Sequence, residues 1–199
     1  MRSLLASLAL VACLGTVGGC ARTVVHDPVP TNYPPGDTTA ELDFWHGLPG
    51  RSVVSNDEAF HGVLAMFDGA DASQSYEERV AALKERGWLP KGFDEAGDLA
   101  MQRGTLAYIL VRAMEVKGGV MMFVTSRNAR YSNLELQRIG VMPPGSELMV
   151  LDGLDYVGTM SKAQDYMVMQ GLREAEGQSE NAPEAAPAPA PPEGNPEPV

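Results

Sequence analysis

The stretch Gly87-Trp88-Leu89-Pro90 decides how we interpret the chain, because related stretches occur before and after it. These are Gly47-Leu48-Pro49 and Gly140-Val141-Met142-Pro143, and each of the three follows one candidate helix and precedes another. Glycine is favoured just past a helix end because it adopts a positive φ without steric cost, and a nearby proline cannot continue the helix. The pattern therefore predicts a mainly α fold, in which helix–loop–helix units repeat within one small domain.

Three Ser-x-x-Glu sequences support this interpretation: Ser55…Glu58, Ser75…Glu78 and Ser132…Glu135. In a capping box, the serine accepts a hydrogen bond from the amide three residues on, and the glutamate reaches back to the serine amide. Each sequence therefore predicts the start of a helix.

Two further helices follow from apolar periodicity. Residues 103–117 carry apolar side chains at helical spacing, and Gly118-Gly119 ends that run. A last helix is predicted from about residue 152 to residue 172. A minor two-stranded β element is predicted from residues 120–124, which are continuously apolar, paired with residues 147–151.

The N-terminus is typical of a secretory signal peptide, since Arg2 precedes an apolar run over residues 4–14. That run is too short to span a bilayer as a helix of about 20 residues. It ends in Val17-Gly18-Gly19-Cys20, which resembles the lipobox of bacterial lipoproteins, with Gly18 in place of the more usual Ala or Ser. The resemblance implies cleavage before Cys20 and acylation of its thiol and new amino group. The alternative is a plain secreted protein with an incidental cysteine.

These features predict four regions along the chain. Residues 1–19 are the signal peptide, and residues 20–40, rich in proline, are the lipidated cysteine with a flexible tether. Residues 41–172 form the helical domain. Residues 173–199, rich in Pro, Ala and Glu, are a disordered tail, because they offer too little apolar surface to offset the entropy of ordering. The predicted location is the bacterial cell envelope. Ala21, where an Asp favours inner-membrane retention in the lipoprotein family, favours the outer membrane.

The composition of the chain argues against several classes of partner and of chemical site. The formal net charge of -11 argues against nucleic acid and anionic lipid head groups as partners. The cysteines are Cys13 and Cys20, so the folded body has neither a disulfide framework nor a thiolate metal site. The histidines are scattered, and no nucleophile elbow or phosphate-binding loop is recognisable. We therefore expect no metal, no cofactor and no enzymatic activity.

Residues 76–114 resemble an S-layer homology motif. A helix ends near Gly87, a Gly-aromatic loop follows at Gly92-Phe93, and Gln102-Arg103-Gly104-Thr105 opens a second apolar helix that ends in Arg112-Ala113. The resemblance implies a pseudo-threefold helical domain of three motifs that holds proteins to cell-wall polysaccharide, with Arg103 lining a glycan groove.

The sequence also departs from that family. Gln102 replaces the family's threonine, and the position of Arg103 is taken by Asp57 in the first unit and by Gly153 in the third. The alternative is that ordinary helix-ending sequences in an unrelated envelope family produce the same pattern.

The function expected from these observations is a membrane-anchored lipoprotein with a non-catalytic binding or structural domain. The bilayer is contacted through lipidated Cys20, and the further partner is cell-wall polysaccharide or an envelope protein. The candidate partner-binding residues are Trp88, Arg103 and Arg112, although Trp88 also suits the core of its own unit. The alternatives are an enzyme acting on envelope polymers and an accessory subunit of an envelope complex.

Overall fold

A computed structural model describes residues 22–119 and 128–180, with side chains up to residue 171. Within these residues the chain is mainly α, as the sequence predicts. The helices are α1 (Thr38–Gly47), α2 (Asn56–Asp68), α3 (Tyr76–Glu85), α4 (Arg103–Ala113), α5 (Ala129–Arg138) and α6 (Gly153–Glu180), and a 3-10 helix, Leu48–Gly50, follows α1. None of the described helices combines the length and hydropathy needed to cross a membrane.

The helices pair into three helix–loop–helix units, α1–α2, α3–α4 and α5–α6. The elbows of the second and third units have the same hydrogen bonds. Gly87 donates to the Lys84 carbonyl at 3.0 Å, and Trp88 donates to the Leu83 carbonyl at 2.9 Å. In the third unit, Gly140 and Val141 donate to the carbonyls of Gln137 and Leu136 at 3.1 and 2.9 Å. With φ of 71° and 80° at the two glycines, both ends are Schellman motifs, which confirms the prediction for these two stretches.

The first elbow differs from the other two. Gly47 has φ -73°, in the right-handed helical region. The Leu48 amide still donates to the Phe44 carbonyl, so the chain passes from α1 into the 3-10 helix without a left-handed residue. Pro49 is tolerated in the first turn of that helix because its missing N–H would have no partner there. The α-helix therefore ends at Gly47, as predicted, but without the left-handed glycine that the pattern implied.

The three units meet at a closed ring of backbone hydrogen bonds. The Val54 amide donates to Leu151 at 2.9 Å, the Leu151 amide to Met101 at 3.0 Å, and the Met101 amide to Val54 at 2.8 Å. All three residues are completely buried, and each lies two positions before the second helix of its unit. The ring therefore gives the domain a pseudo-threefold centre.

A second set of equivalent backbone hydrogen bonds involves the first residue of the second helix in each unit. Asn56 at the start of α2 donates to the Leu99 carbonyl, Arg103 at the start of α4 donates to the Met149 carbonyl, and Gly153 at the start of α6 donates to the Arg51 carbonyl. Backbone carbonyls of a neighbouring unit thus satisfy helix amides that lack an intrahelical partner. The structural equivalents of Arg103 are consequently Asn56 and Gly153, so the sequence alignment to Asp57 was wrong by one residue.

One close contact at this centre requires glycine. A Cβ atom at Gly153 would lie 1.6 Å from the Leu48 carbonyl oxygen. A second close contact joins units inside the core, where the Tyr156 hydroxyl donates to the Ala59 carbonyl at 2.9 Å beside Gly62. The core around them is made by the inner faces of all six helices, with Phe44, Phe60, Leu83, Leu106, Leu110, Leu136 and Tyr156 among its buried side chains.

The helix starts agree with the sequence to different degrees. Ser55 and Glu58 form a complete capping box. Ser75 caps α3, but the Glu78 carboxylate accepts from the Gln74 amide instead of the Ser75 amide. The box predicted at Ser132 was wrong, because Asn128 caps α5 and Ser132 is buried inside that helix.

The helix ends and the β element also differ from prediction. The helix predicted over 103–117 ends at Ala113, and Glu115 takes the positive φ of 53° that usually belongs to glycine. The last helix runs to Glu180, past the predicted end at 172 and into the region predicted as disordered tail. Residues 147–151 contribute an isolated bridge, Gln102 with Val150, instead of a strand. The predicted partner strand, 120–124, and residues 181–199 lie outside the described residues.

The flexible tether predicted over residues 20–40 was wrong for residues 22–40. Residues 22–35, which we call the N-terminal strap, lie against the domain, and α1 already begins at Thr38. The Val25 amide donates to the Asp98 carbonyl and the Ala100 amide donates to the Thr23 carbonyl, both at 2.8 Å. Proline-rich composition suggested a free linker, but these backbone hydrogen bonds fix the strap.

Candidate functional site

A buried ion network fastens the strap to the domain. Arg79 on α3 is completely buried, and its guanidinium donates to Asp71 at 2.5 Å and to Asp57 at 2.7 Å. It also donates to the Thr31 carbonyl at 2.8 Å and to the Asn32 side chain at 3.0 Å. A buried charge is tolerated only when it is paired and hydrogen-bonded, and Arg79 meets both conditions.

Tyr33, His61 and Asp71 extend this network as a hydrogen-bonded chain. The Tyr33 hydroxyl lies 2.6 Å from His61 Nε2, and His61 Nδ1 lies 2.8 Å from the Asp71 carboxylate. Burial would raise the pKa of Asp71, but hydrogen bonds from His61, Arg79 and the Ser73 amide outweigh it and lower the pKa to about 2. Asp71 is therefore ionised at neutral pH and accepts from both Arg79 and His61.

The Tyr33 hydroxyl stays protonated in this hydrogen-bonded triad. Burial, reinforced by the carboxylates of Glu41 and Asp71, raises the pKa of Tyr33 to about 12. A phenol with a raised pKa stays protonated and is a poor nucleophile. We assign Tyr33 as the donor to His61 Nε2, which leaves Nδ1–H to donate to Asp71. Three residues of the strap are thereby fixed: Thr31 and Asn32 accept hydrogen bonds from Arg79, and Tyr33 donates one to His61.

The capping-box glutamate of α2 also holds the strap. One carboxylate oxygen of Glu58 accepts from the Ser55 amide and the other accepts from the Val29 amide, both at 2.7 Å. The Ser-x-x-Glu pattern predicted only the first bond. The second bond joins the first turn of α2 to the strap, because Val29 lies 29 positions before Glu58 in the sequence.

Arg103, a candidate binding residue, lies inside the protein. Its residue is 2% exposed, and its guanidinium donates to the Pro143 carbonyl and packs against Gly145. The nearest carboxylate oxygen, on Asp155, is 3.7 Å away, and Nε has no hydrogen-bond partner among the described residues. In this position Arg103 holds the loop after α5 and is not accessible to a glycan.

The other two candidate residues lie elsewhere. The Arg112 guanidinium lies 3.3 Å from the centre of the Tyr108 ring, one helical turn earlier. Trp88 is half-buried, and its ring packs edge-on against Phe67 at 5.3 Å under the Arg86 guanidinium. The structure therefore does not gather Trp88, Arg103 and Arg112 into one site.

Grooves open between the units instead. A groove of about 590 Å³ lies between the ends of α4 and α5 and the side of α6. A second depression of about 580 Å³ continues it along α6, and the two share Arg138, Ile139, Tyr166 and Gln170. Within this groove the Gln170 amide donates to the Tyr166 hydroxyl at 2.8 Å, and Arg138 pairs with both carboxylate oxygens of Glu135. Lys117 and Lys162 line its two ends.

Smaller grooves occupy the two equivalent junctions. One, of about 450 Å³, lies between α2 and α3 and is lined by Asp68, Asp71 and Arg86. The other, of about 430 Å³, lies between α6 and α1 and is lined by Trp45, Met66 and Met160. The three junctions share a backbone plan but present different chemistry: acidic, apolar and, at α4–α6, mixed with amide, phenol and cationic groups.

Sequence reasoning missed the buried network, although a signal for it was present. Arg79 lies on the apolar face of α3 together with Tyr76, Val80 and Leu83. A charged residue on such a face implies a buried partner of opposite charge. His61 was interpreted as a packed or solvated histidine, and it is a packed one. Among the described residues no group of three His, Cys, Asp or Glu is placed to hold a metal ion.

Comparisons with known proteins place the chain in no family. No protein-family model matches it, and neither a curated protein nor a solved structure shows significant similarity. The resemblances to a lipobox and to an S-layer homology motif therefore stay predictions from the sequence.

Proposed function

We propose that this protein is a bacterial envelope lipoprotein, acylated at Cys20, whose helical domain binds an envelope polymer without catalysing a reaction. Cell-wall glycan is the ligand class we favour. The proposed location is the bacterial cell envelope, with the outer membrane favoured over the inner membrane.

The observation that carries the proposal is the ring formed by Val54, Met101 and Leu151. It relates three helix–loop–helix units by pseudo-threefold symmetry, which is the arrangement implied by the S-layer homology resemblance of residues 76–114. Such an arrangement creates a groove at each junction between units, and grooves are where a repeat domain of this kind presents a ligand surface.

The groove between α4, α5 and α6 is the binding site we propose. Its polar groups are Tyr166, Gln170, Lys162 and the paired Arg138, and these supply hydroxyl, amide and cationic donors at a half-exposed surface. Sugar hydroxyls and carboxylates accept hydrogen bonds from such donors, and the Tyr166 ring offers an apolar face for a sugar ring. This site replaces the one expected around Arg103, which is buried.

Sedimentation with purified sacculi tests the proposal. The mature chain in a mild detergent is expected to pellet with sacculi, and the double variant Lys162→Ala with Gln170→Ala is expected to lower the bound fraction several-fold. The matched control is Lys91→Ala with Gln74→Ala, which removes the same two side chains at exposed positions outside this groove. Failure of the unmodified chain to pellet would contradict glycan binding. Pelleting that disappears once sacculi are stripped of bound protein would identify an envelope protein as the partner.

A further inference from the structure

The loops that precede α4 and α6 are equivalent in the ring but differ in what covers them. The loop before α4, residues 97–102, is paired with the strap through the Val24–Leu99 bridge and the Thr23–Ala100 hydrogen bond. Ala100 is completely buried as a result. The loop before α6, residues 147–152, has no such covering in the described part of the chain. We call the first the covered loop and the second the bare loop.

The bare loop exposes large apolar side chains. Leu148 is 69% exposed, Leu154 in the first turn of α6 is 68% exposed, and both Met149 and Val150 are also exposed. The strap adds Val24, which is exposed on the other side of the covered loop. Contiguous exposed apolar side chains of this size mark an interaction surface more often than a solvated one.

This surface lies at the end of the domain where the chain leaves toward Cys20. Arg22 donates to the Ala100 carbonyl at 2.9 Å and pairs with Glu95, so it is fixed beside the covered loop. Two peptide units separate the Cα of Cys20 from that of Arg22, a span of at most about 7 Å in an extended chain. Without the flexible tether expected from the sequence, an acylated Cys20 holds this end of the domain against the bilayer.

We propose that the bare loop and the first turn of α6, with Leu148, Met149 and Leu154, form a docking face for the lipid bilayer. The proposal rests on the proposed acylation of Cys20. The side chains would enter the interface between head groups and acyl chains, as the apolar faces of interfacial helices do. The domain would then stand on the membrane with the ring nearest to the lipid and the far end of α6 pointing away.

The charges at this face select the kind of lipid. Glu147, Asp152 and Asp155 flank the apolar residues, and Glu95 and Asp98 lie beside the strap, against the cations Arg22 and Arg51. An acidic rim gives no attraction to anionic lipids. The proposed partner is therefore a zwitterionic bilayer surface, and the contact should be insensitive to salt because apolar burial is not screened.

Fluorescence quenching by labelled lipid tests the docking face on the full, acylated chain. Leu154→Cys and Val168→Cys lie on one helix, are exposed to 68% and 58%, and are about 21 Å apart along its axis, so Val168→Cys is a matched control. Each variant carries a thiol-reactive fluorophore and is reconstituted into phosphatidylcholine vesicles with a head-group-region quencher. Met149→Cys supplies a second position on the bare loop.

We expect quenching several-fold stronger at residues 154 and 149 than at residue 168, at both low and high salt. Equal quenching at residues 154 and 168 in a chain shown by mass spectrometry to be acylated would overturn the docking face and leave the lipoprotein proposal standing. Absence of acyl chains on Cys20 would overturn both. Shielding of the residue 154 label that rises with protein concentration in an unacylated Cys20→Ser chain would assign the face to a second copy of the protein and overturn the bilayer assignment.

Discussion

The covered loop and the bare loop occupy equivalent places in one ring, yet within residues 22–119 and 128–180 only the first is held under another segment. Leu99 and Ala100 of the covered loop pair with the strap, whereas their counterparts Met149 and Val150 are exposed. The backbone hydrogen bonds that join the loops to their neighbouring helices are nevertheless the same. The shared bonds position both loops, and the difference in covering is the reason why we propose the bare loop as a docking face.

The strap itself depends on a network that the pseudo-symmetry does not repeat. Arg79 occupies the position on α3 that the buried Ser132 occupies on α5, four residues before the buried Leu83 and Leu136. Arg79 reaches across to the strap, where it donates to the Thr31 carbonyl and the Asn32 side chain.

Removing Arg79 is expected to have the largest effect. Arg79→Ala leaves Asp71 buried without its cation and releases the strap, and breaking a buried pair typically costs about 3–5 kcal/mol. Urea denaturation measures the free energy of unfolding, and amide exchange of Ala100 is expected to rise toward that of the bare loop. The control is Arg86→Ala, which breaks the exposed pair with Asp68 and should cost at most about 1 kcal/mol. Similar losses for the two variants would show that the network does not hold the strap.

A methyl group at Gly153 should disturb the junction that supports the bare loop. Gly153→Ala places a Cβ atom 1.6 Å from the Leu48 carbonyl oxygen, so the α6 start must move, and overpacking of this kind costs about 1–3 kcal/mol or more. Gly158→Ala on the same helix meets nothing within 4 Å. It should stabilise the protein by up to about 1 kcal/mol because alanine is the better helix former. Thermal unfolding of both variants distinguishes them, and equal melting temperatures would refute the close contact.

Acid should loosen the strap through Asp71. Its folded-state pKa of about 2 is below the ordinary value of 3.8, so its contribution to stability is complete above pH 3.8 and is lost as the pH falls toward 2. The loss amounts to about 2 kcal/mol. Urea denaturation between pH 5 and pH 2 should show this decline in the free energy of unfolding. The Asp71→Asn variant should lack the part of the decline that is due to Asp71. An identical decline in the variant would mean that another carboxylate is responsible.

Polar substitutions in the bare loop should change stability least. Leu148→Ser replaces a side chain that is 69% exposed and should shift the free energy of unfolding by no more than about 0.5 kcal/mol. Val25→Ser in the strap replaces a buried side chain and should cost about 1–3 kcal/mol. Urea denaturation of the two variants tests whether the exposed residues of the bare loop contribute to the free energy of unfolding. A loss at Leu148 as large as that at Val25 would assign the bare loop to the core.

The sequence predicted the local parts of this fold better than its long-range ones. Gly87 and Gly140 and the capping box at Ser55 were predictable because a helix end or start depends on neighbouring residues. The ring of Val54, Met101 and Leu151 was not, because hydrogen bonds between distant loops leave no periodic signal. For the same reason, proline content alone predicted a flexible tether over residues 20–40.

The candidate site was predicted less well than the fold. Arg103 was chosen from a family resemblance, and its burial follows from the close approach of Gly145, far along the sequence. Tyr166 and Gln170 lie one turn apart on α6 and line a groove only because α4 and α5 end beside them. Their polar spacing on a helix resembles that of any solvated face, so the sequence offered no means of selecting them.

Hydrogen–deuterium exchange of the two loops tests the central comparison most directly. The acylated chain on zwitterionic nanodiscs is compared with the unacylated Cys20→Ser chain in solution. We predict that residues 97–102 exchange slowly in both, because the strap covers them, and that the exposed residues 148–150 become slow only on the nanodisc. Equal exchange of residues 148–150 in the two states, with acylation verified, would contradict the assignment of the bare loop to the membrane.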